Sequence, residues 1–184
     1  MDPFAKTRNS VMQYHNVYFW TATISKWQYL LKYDSLKQVI IDSLSYLSVQ
    51  NKIKVYAFVI MPNHVHLIWE MIEANGKETP YESFLKFTAH RFQKIIKAFN
   101  TKEYATYNVN ESTRKQRNWK RDALAIQIIN REMAQQKIEY IHNNPLQSHW
   151  KLASEPEAYY YSSAYDYVND FSRFTFLHHY FDRV

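Results

Sequence analysis

The sequence predicts an α+β fold in which helices cover an antiparallel sheet. Short runs rich in β-branched and aromatic residues alternate with longer segments whose apolar residues recur every three or four positions. Two of the β-rich runs are joined only by Pro62 and Asn63, which is typical of a hairpin. Hydrophobic residues make up 46% of the 184 positions, enough to build a core. We expect one domain over residues 1–184, with its core between about 14 and 165.

The first half of the chain predicts a strand, a helix and a hairpin after a polar N-terminal arm. Asp34 precedes an apolar pattern of helical spacing and is the expected N-cap of that helix. The apolar runs on either side of the Pro62–Asn63 turn are similar in length, as paired strands require. The predicted elements are a strand at residues 15–25, a helix at 34–50, and strands at 53–61 and 64–71.

The second half predicts a helix, a strand and a final helix. Pro80 lies near the start of the first helix, Asn130 is suited to cap the second, and Pro145 ends it. The predicted elements are a helix at residues 80–99, a strand at 123–129 and a helix at 131–143. The order β-α-β-β-α-β is the ferredoxin-like arrangement, an antiparallel sheet with helices on one face, here followed by an extra C-terminal helix.

The composition excludes several kinds of site. The chain has no cysteine, which rules out a disulfide framework, a thiolate zinc site and a cysteine nucleophile. It has a single glycine, so a glycine-rich phosphate loop is not possible. No apolar h-region lies near the N-terminus and no run has the length of a membrane span, so we expect a cytoplasmic protein with no membrane partner.

Charge and aromatic content favour a nucleic-acid partner. The formal net charge is +6, and 17% of the residues are aromatic, so cations are available for phosphates and rings for bases. A merely basic protein would show the same totals. A basic run between residues 114 and 121 is most simply a solvated loop, and beside a DNA site it provides candidate DNA-backbone contacts. The candidates are Arg114, Lys115, Arg117, Lys120 and Arg121.

Two histidines on one strand predict half of a metal site. His64 and His66 are two residues apart in a predicted strand, so their side chains point to the same face. Neighbouring imidazoles on a rigid element are suited to bind a metal. A structural or surface pair of histidines is the plainer alternative.

The last predicted helix carries a candidate nucleophile and a third ligand. Its apolar stripe is Ala134, Ile138 and Ile141, and Tyr140 lies off that stripe among polar neighbours. This placement favours a tyrosine that presents its hydroxyl. Asn144 precedes Pro145, at an expected frayed helix end where its side-chain oxygen could turn towards a cation.

These motifs resemble those of a known family. The string Met61-Pro62-Asn63-His64-Val65-His66 resembles the His-hydrophobic-His signature of the single-tyrosine HUH transposases. The string Tyr140-Ile141-His142-Asn143-Asn144-Pro145 resembles their tyrosine helix, most closely in the REP-associated branch. Many small insertion-sequence transposases have glutamine where this chain has Asn144, so the third ligand is where it departs from them.

The resemblance implies an activity, a cofactor and a partner. Tyr140 would attack a phosphorus of single-stranded or hairpin DNA and form a 5′-phosphotyrosine that can be rejoined to another strand. His64, His66 and Asn144 would hold a divalent metal, Mg²⁺ or Mn²⁺. Family members act as homodimers or as monomers, and both remain open for this chain.

Two other functions are compatible with the sequence. A non-catalytic hairpin-DNA-binding protein derived from a transposase would keep the fold and the positive charge. A metal hydrolase of another kind is less well supported, because we find no general base and no acidic ligand set beside the histidines.

Overall fold

The computed structural model describes residues 11–99, 118–120, 123–169 and 172–183. A four-stranded sheet and three long helices make up most of these residues. In chain order the strands and helices are β1 Val17–Thr23, α1 Asp34–Val49, β2 Ile53–Met61, β3 His64–Met71, α2 Pro80–Phe99, β4 Leu124–Gln127, α3 Arg131–Asn143 and α4 Ala164–Val168.

The sheet is antiparallel throughout, in the order β2-β3-β1-β4. Strand β3 is an inner strand, held by β2 on one side and β1 on the other. The register places Thr21 beside His66 and Met61 beside His64. The predicted α+β, ferredoxin-like fold is therefore confirmed, and the histidine pair lies on a strand that is hydrogen-bonded along both edges.

Helices α1 and α2 cover one face of the sheet. Their buried side chains recur at helical spacing and join the apolar side chains of the strands in one core. The main helical contributors are Leu36, Ile40, Leu44 and Leu47 from α1, and Phe84, Phe92 and Ile96 from α2.

Helix α3 packs on the opposite face of the sheet, a placement that the sequence did not predict. Its predicted apolar stripe of Ala134, Ile138 and Ile141 is buried in a second core with Phe19 and Ile68. The C-terminal segment completes this face: Tyr159 is buried and its hydroxyl donates to the carbonyl of Ile60 at 2.8 Å. The stripe fixes the rotation of α3 and with it the side on which Tyr140 emerges.

The edge of β2 that does not pair with β3 is covered by the same C-terminal segment. The amide of Ile60 donates to the carbonyl of Tyr161 at 2.9 Å, and the amide of Ser163 donates to the carbonyl of Phe58 at 3.0 Å. Such cover protects an edge strand from pairing with other chains.

The capping predictions had different outcomes. The Oδ1 atom of Asn130 accepts from the amide of Met133 at 2.8 Å, so the predicted cap of α3 is confirmed. The predicted Asp34 cap is wrong. Asp34 is the first helical residue, Tyr33 takes the cap position, and the Asp34 carboxylate instead accepts from Lys37 at 2.8 Å.

No helix in the described ranges combines the length and the apolar character needed to cross a membrane.

Candidate active site

A cleft of about 230 Å³ opens where the start of β3, just after the hairpin turn, meets the C-terminal end of α3. It brings together the four residues predicted as nucleophile and metal ligands, all from one chain. The lining residues are Thr21, Thr23, Trp27, His64, His66, Tyr140, Asn144, Gln147, His149 and Trp150.

The two histidines are buried side by side on β3. Their ring centroids are 4.6 Å apart, with an interplanar angle of 71°. His64 Nδ1 lies 2.6 Å from Oδ1 of Asn63, an atom that can only accept, so Nδ1 carries the proton and Nε2 has a free lone pair. His66 Nδ1 lies 2.7 Å from the hydroxyl of Thr21, an arrangement that can fix this ring in the same way.

Burial keeps both imidazoles neutral. Burial and then the charge of His149 lower the pKa of His64 from 6.5 to about 4. Burial, followed by the charges of His64 and Lys137, holds the pKa of His66 well below its ordinary value. Neutral imidazoles near pH 7 are the form in which histidine binds a metal.

Tyr140, on helix α3, contacts one histidine of this pair, His66. Its ring centroid is 5.3 Å from that of His66 and 5.9 Å from that of Phe19, both in edge contacts. The side chain remains 44% exposed. As predicted from its position off the apolar stripe, Tyr140 combines a fixed ring with access to solvent.

Lys137 brings a cation to the same place, one helical turn before Tyr140. Its ammonium lies 5.1 Å from the centroid of the Phe19 ring, and its charge contributes to the lowered pKa of His66. Lys137 is one of the polar neighbours of Tyr140 on the helix, and its role at the site was not predicted from the sequence.

The expectation that Asn144 lies at a frayed helix end is wrong. It is 2% exposed, adopts helical dihedral angles, and begins a single 3₁₀ turn over Asn144–Leu146. Its Oδ1 atom is buried and has no hydrogen-bond partner among the described residues. A buried oxygen without a partner costs free energy, and a cation in the cleft would remove that cost.

The donor set fits a divalent metal, although it is a weak one. Two histidines and an asparagine with a buried, unpartnered Oδ1 atom line the same cleft. Within the described ranges, no three residues of the types His, Cys, Asp or Glu cluster into a metal site. A set without a carboxylate binds loosely, and imidazole favours Mn²⁺ over Mg²⁺.

Two other polar residues near α3 and β3 have structural roles. Glu70 lies on the same face of β3 as the histidines, but its carboxylate accepts from Tyr56 at 2.6 Å and from Arg183 at 2.9 Å. His142 is buried away from the cleft, with its Nε2 atom 2.9 Å from the hydroxyl of Ser163. Neither residue is free to bind a metal.

The predicted DNA-binding run is only partly described. Arg114, Lys115, Arg117 and Arg121 lie outside the described residues. Lys120 is exposed, and its ammonium lies 4.8 Å from the centroid of the Trp27 ring, which lines the cleft. One predicted DNA contact is therefore at the rim of the candidate site.

Several lining residues were missed by the sequence analysis, namely Trp27, Gln147, His149 and Trp150. Trp27 belongs to a segment with no regular pattern. The three others follow Pro145, and a turn brings them back: the amide of Leu152 donates to the carbonyl of Pro145 at 2.9 Å. Their place in the sequence, just after the tyrosine helix, was the one available signal.

No family model matches the chain, and no curated protein matches it. Among solved structures, a REP-associated tyrosine transposase bound to a REP hairpin is similar over 88% of this chain and 84% of its own, with a TM-score of 0.61 and 15% identity. A transposase candidate from Deinococcus radiodurans R1 is 17% identical over 75% of this chain and 96% of its own. Its TM-score of 0.42 is too low to carry an argument about fold. The resemblance to the HUH transposases is thus confirmed at the level of the fold, which this chain shares with a REP-associated tyrosine transposase.

Proposed function

We propose that this protein is a transposase that cleaves and rejoins single-stranded, hairpin-forming DNA through a covalent bond to Tyr140. The observation that carries the proposal is the buried Oδ1 atom of Asn144, which has no partner among the described residues and shares a cleft with the two histidines and Tyr140. Three neutral donors and a partly exposed phenol together fit metal-assisted phosphoryl transfer.

Tyr140 is the nucleophile. Its phenolic oxygen forms a bond to phosphorus as the bond from phosphorus to the 3′-oxygen breaks, so the 5′ end becomes bound to the enzyme. The phenol proton passes to water, and the leaving 3′-oxygen takes one up as a hydroxyl. The phosphodiester bond energy is kept in the phosphotyrosine, which makes the step reversible and removes any need for ATP.

The remaining residues would hold the metal and stabilise the phosphate. His64 and His66 present Nε2, because Asn63 and Thr21 engage their other nitrogen atoms. With Asn144 Oδ1 they would hold Mg²⁺ or Mn²⁺, which supplies positive charge for the phosphoryl oxygens. The ammonium of Lys137 adds charge that stabilises the phosphate as it becomes more negative.

The partner is DNA with a hairpin and unpaired nucleotides. The net charge of +6 and the position of Lys120 support a DNA backbone at the cleft. The solved transposase with a similar fold is bound to a REP hairpin. The cleft needs no residue of a second chain, so a monomer can carry the activity, and a homodimer would carry two such sites. We place the protein in the cytoplasm, associated with the nucleoid.

A covalent adduct tests the proposal directly. The protein is incubated with a panel of labelled single-stranded hairpins and Mn²⁺, and a denaturing gel reveals any protein–DNA band. We expect the band with the wild type and with Tyr46→Phe, an exposed tyrosine of α1 on the other side of the sheet. Tyr140→Phe should give no band while binding the same hairpins with nearly unchanged affinity.

Metal dependence is tested in the same assay. Adding a chelator to the wild type and replacing His64 by alanine should each remove the band. Added Mn²⁺ should restore the band for the chelated wild type but not for His64→Ala. An adduct that persists in Tyr140→Phe would refute the role of Tyr140 as nucleophile. Activity that is unchanged by the chelator would refute the requirement for a metal. Tight hairpin binding with no adduct for any substrate or metal would favour the non-catalytic hairpin-binding protein instead.

A further inference from the structure

Trp27 is an exposed aromatic residue at the rim of the candidate active site that the proposed chemistry does not use. It is 57% exposed and lines the same cleft as His64 and Tyr140. Large apolar side chains gain stability by burial, so an exposed tryptophan beside a functional cleft calls for a partner.

The backbone holds Trp27 in place at a cost. Lys26 and Trp27 have φ angles of 55° and 57°, in the left-handed region that residues with a Cβ rarely adopt. A bulky side chain in this conformation is strained, and the burial of its ring does not offset the strain. Strain of this kind persists where the surrounding structure imposes it, often at functional sites.

The surrounding structure does impose it. The amide of Ile24 donates to the carbonyl of Asn63 at 2.8 Å, and the amide of Leu31 donates to the carbonyl of Pro62 at 2.9 Å. The segment that carries Trp27 is thus hydrogen-bonded at both ends to the turn that leads into His64. Trp27 and the histidine pair form one rigid unit.

A cation lies against the same ring. The ammonium of Lys120 is 4.8 Å from the centroid of Trp27, and the Lys120 amide is bonded to the carbonyl of Thr23 on β1 at 2.8 Å. An aromatic face with a cation beside it is the arrangement that binds one nucleotide of a single strand, with its base stacked and its phosphate neutralised.

Trp150 supplies a second ring to the cleft. It lies 5.9 Å from His64 and 5.6 Å from Tyr29, centroid to centroid, and is only partly exposed. It is packed as part of the wall, whereas no aromatic ring of the described residues stacks on Trp27. Trp27 is therefore the more exposed of the two tryptophans that line this cleft, and no ring of the described residues is packed on it.

We propose that Trp27 is a stacking platform for an unpaired base next to the cleaved phosphate, with Lys120 holding the phosphate of that nucleotide. This inference rests on the proposed function and adds a specificity to it: the site accepts a phosphate whose neighbouring base is free of its complementary strand. A base in a duplex is stacked on both faces and cannot lie on Trp27.

The test compares labelled hairpins with and without an unpaired thymidine tail, by equilibrium binding. For the wild type, the tail should strengthen binding, and replacing one tail nucleotide by an abasic one should weaken it about tenfold or more. Trp27→Ala should weaken binding of the tailed hairpin by a similar factor, leave the blunt hairpin unchanged, and be indifferent to the abasic replacement. Trp27→Phe, which keeps a ring, should recover most of the affinity.

Two controls separate stacking from other effects. Tyr46→Ala removes an equally exposed ring from α1 and should leave every affinity unchanged. Lys120→Ala should reduce the salt dependence of binding by about one unit of slope, whereas Trp27→Ala should keep the slope. A far-ultraviolet spectrum and a thermal midpoint like those of the wild type establish that each variant is folded.

The outcomes distinguish this inference from the proposed function. If the wild type forms the Tyr140 adduct but Trp27→Ala binds the tailed hairpin as tightly, the platform is refuted alone. If the abasic replacement weakens Trp27→Ala as much as the wild type, the base does not stack on Trp27. If no adduct forms but the tail contributes through Trp27, the proposed reaction fails while the stacking surface stands.

Discussion

The two faces of the sheet are both covered by helices, yet they bury different chemistry. Under α1 and α2 the core is built from interlocking rings: Trp20 lies 5.0 Å from Trp69 and 5.9 Å from Phe84, centroid to centroid. Under α3, apolar residues share the interior with buried polar groups. The buried polar groups of that face include His64, His66, Glu70, His142 and Asn144.

Strand β3 contributes side chains to both faces of the sheet. Along β3, Val65, Leu67 and Trp69 point towards α1 and α2, while the alternate residues His64, His66 and Glu70 point towards α3. Burying imidazoles and an amide oxygen costs desolvation that an apolar core does not incur. The face under α1 and α2 therefore supplies stability, whereas the buried polar groups under α3 lower the stability of the fold while they form a preorganised site.

The largest expected effect on stability comes from the apolar face. Phe84 is fully buried against three tryptophan rings, so Phe84→Ala should lower the free energy of unfolding by about 3–5 kcal/mol. Urea denaturation measures this. The matched change on the other face, Tyr140→Ala, removes a half-exposed ring and should cost less than about 1 kcal/mol. Equal losses from both variants would contradict the division between the faces.

An intermediate effect is expected from the buried carboxylate of the α3 face. Burial acts to raise the pKa of Glu70, but hydrogen bonds from Tyr56 and Arg183 and the charge of Arg183 outweigh it and lower this pKa below its usual value. The ionised form is thus favoured in the folded state. Its contribution to stability is full above the ordinary carboxyl pKa, and it is lost as the pH falls through the lowered pKa.

Glu70→Gln tests this contribution. At pH 7 the variant should be less stable than the wild type by about 1.5–3 kcal/mol, the range for hydrogen bonds to a charged group. The difference should shrink as the pH falls from about 4.5 through the lowered pKa of Glu70, because the carboxyl is protonated first in the unfolded state and then in the folded state. Urea denaturation at a series of pH values measures it, and a difference that stays constant into acid would show that the charge of Glu70 contributes nothing.

The predictability of the fold from sequence also differs between local and distant features. The bounds of β3 and α3 are as predicted, because Pro62–Asn63, Asn130 and Pro145 are signals that act within a few residues. The first and last predicted strands were too long, since 15–25 became Val17–Thr23 and 123–129 became Leu124–Gln127. Strand ends depend on partners that the local sequence does not contain.

The candidate site was predictable where spacing alone determines geometry. Two-residue spacing placed His64 and His66 on one face, and the apolar stripe of α3 placed Tyr140 off the core. The burial of Asn144 and the position of Trp27 were not predictable. Asn144 is enclosed by a chain reversal after Pro145, and Trp27 is held by hydrogen bonds to a turn more than thirty residues away.

The smallest expected effect on stability is at Asn144, and it separates a metal ligand from a structural asparagine. Since its buried Oδ1 atom has no partner among the described residues, Asn144→Leu loses no hydrogen bond through that atom and replaces the amide by an apolar group of similar size. We expect an unfolding free energy within about 1 kcal/mol of the wild type, or above it. Mn²⁺ should raise the thermal midpoint of the wild type and leave that of the variant unchanged, because binding to the folded state alone stabilises it. If Asn144→Leu instead lost several kcal/mol, the oxygen would have a structural partner, and the α3 face would be built for stability like the face under α1 and α2.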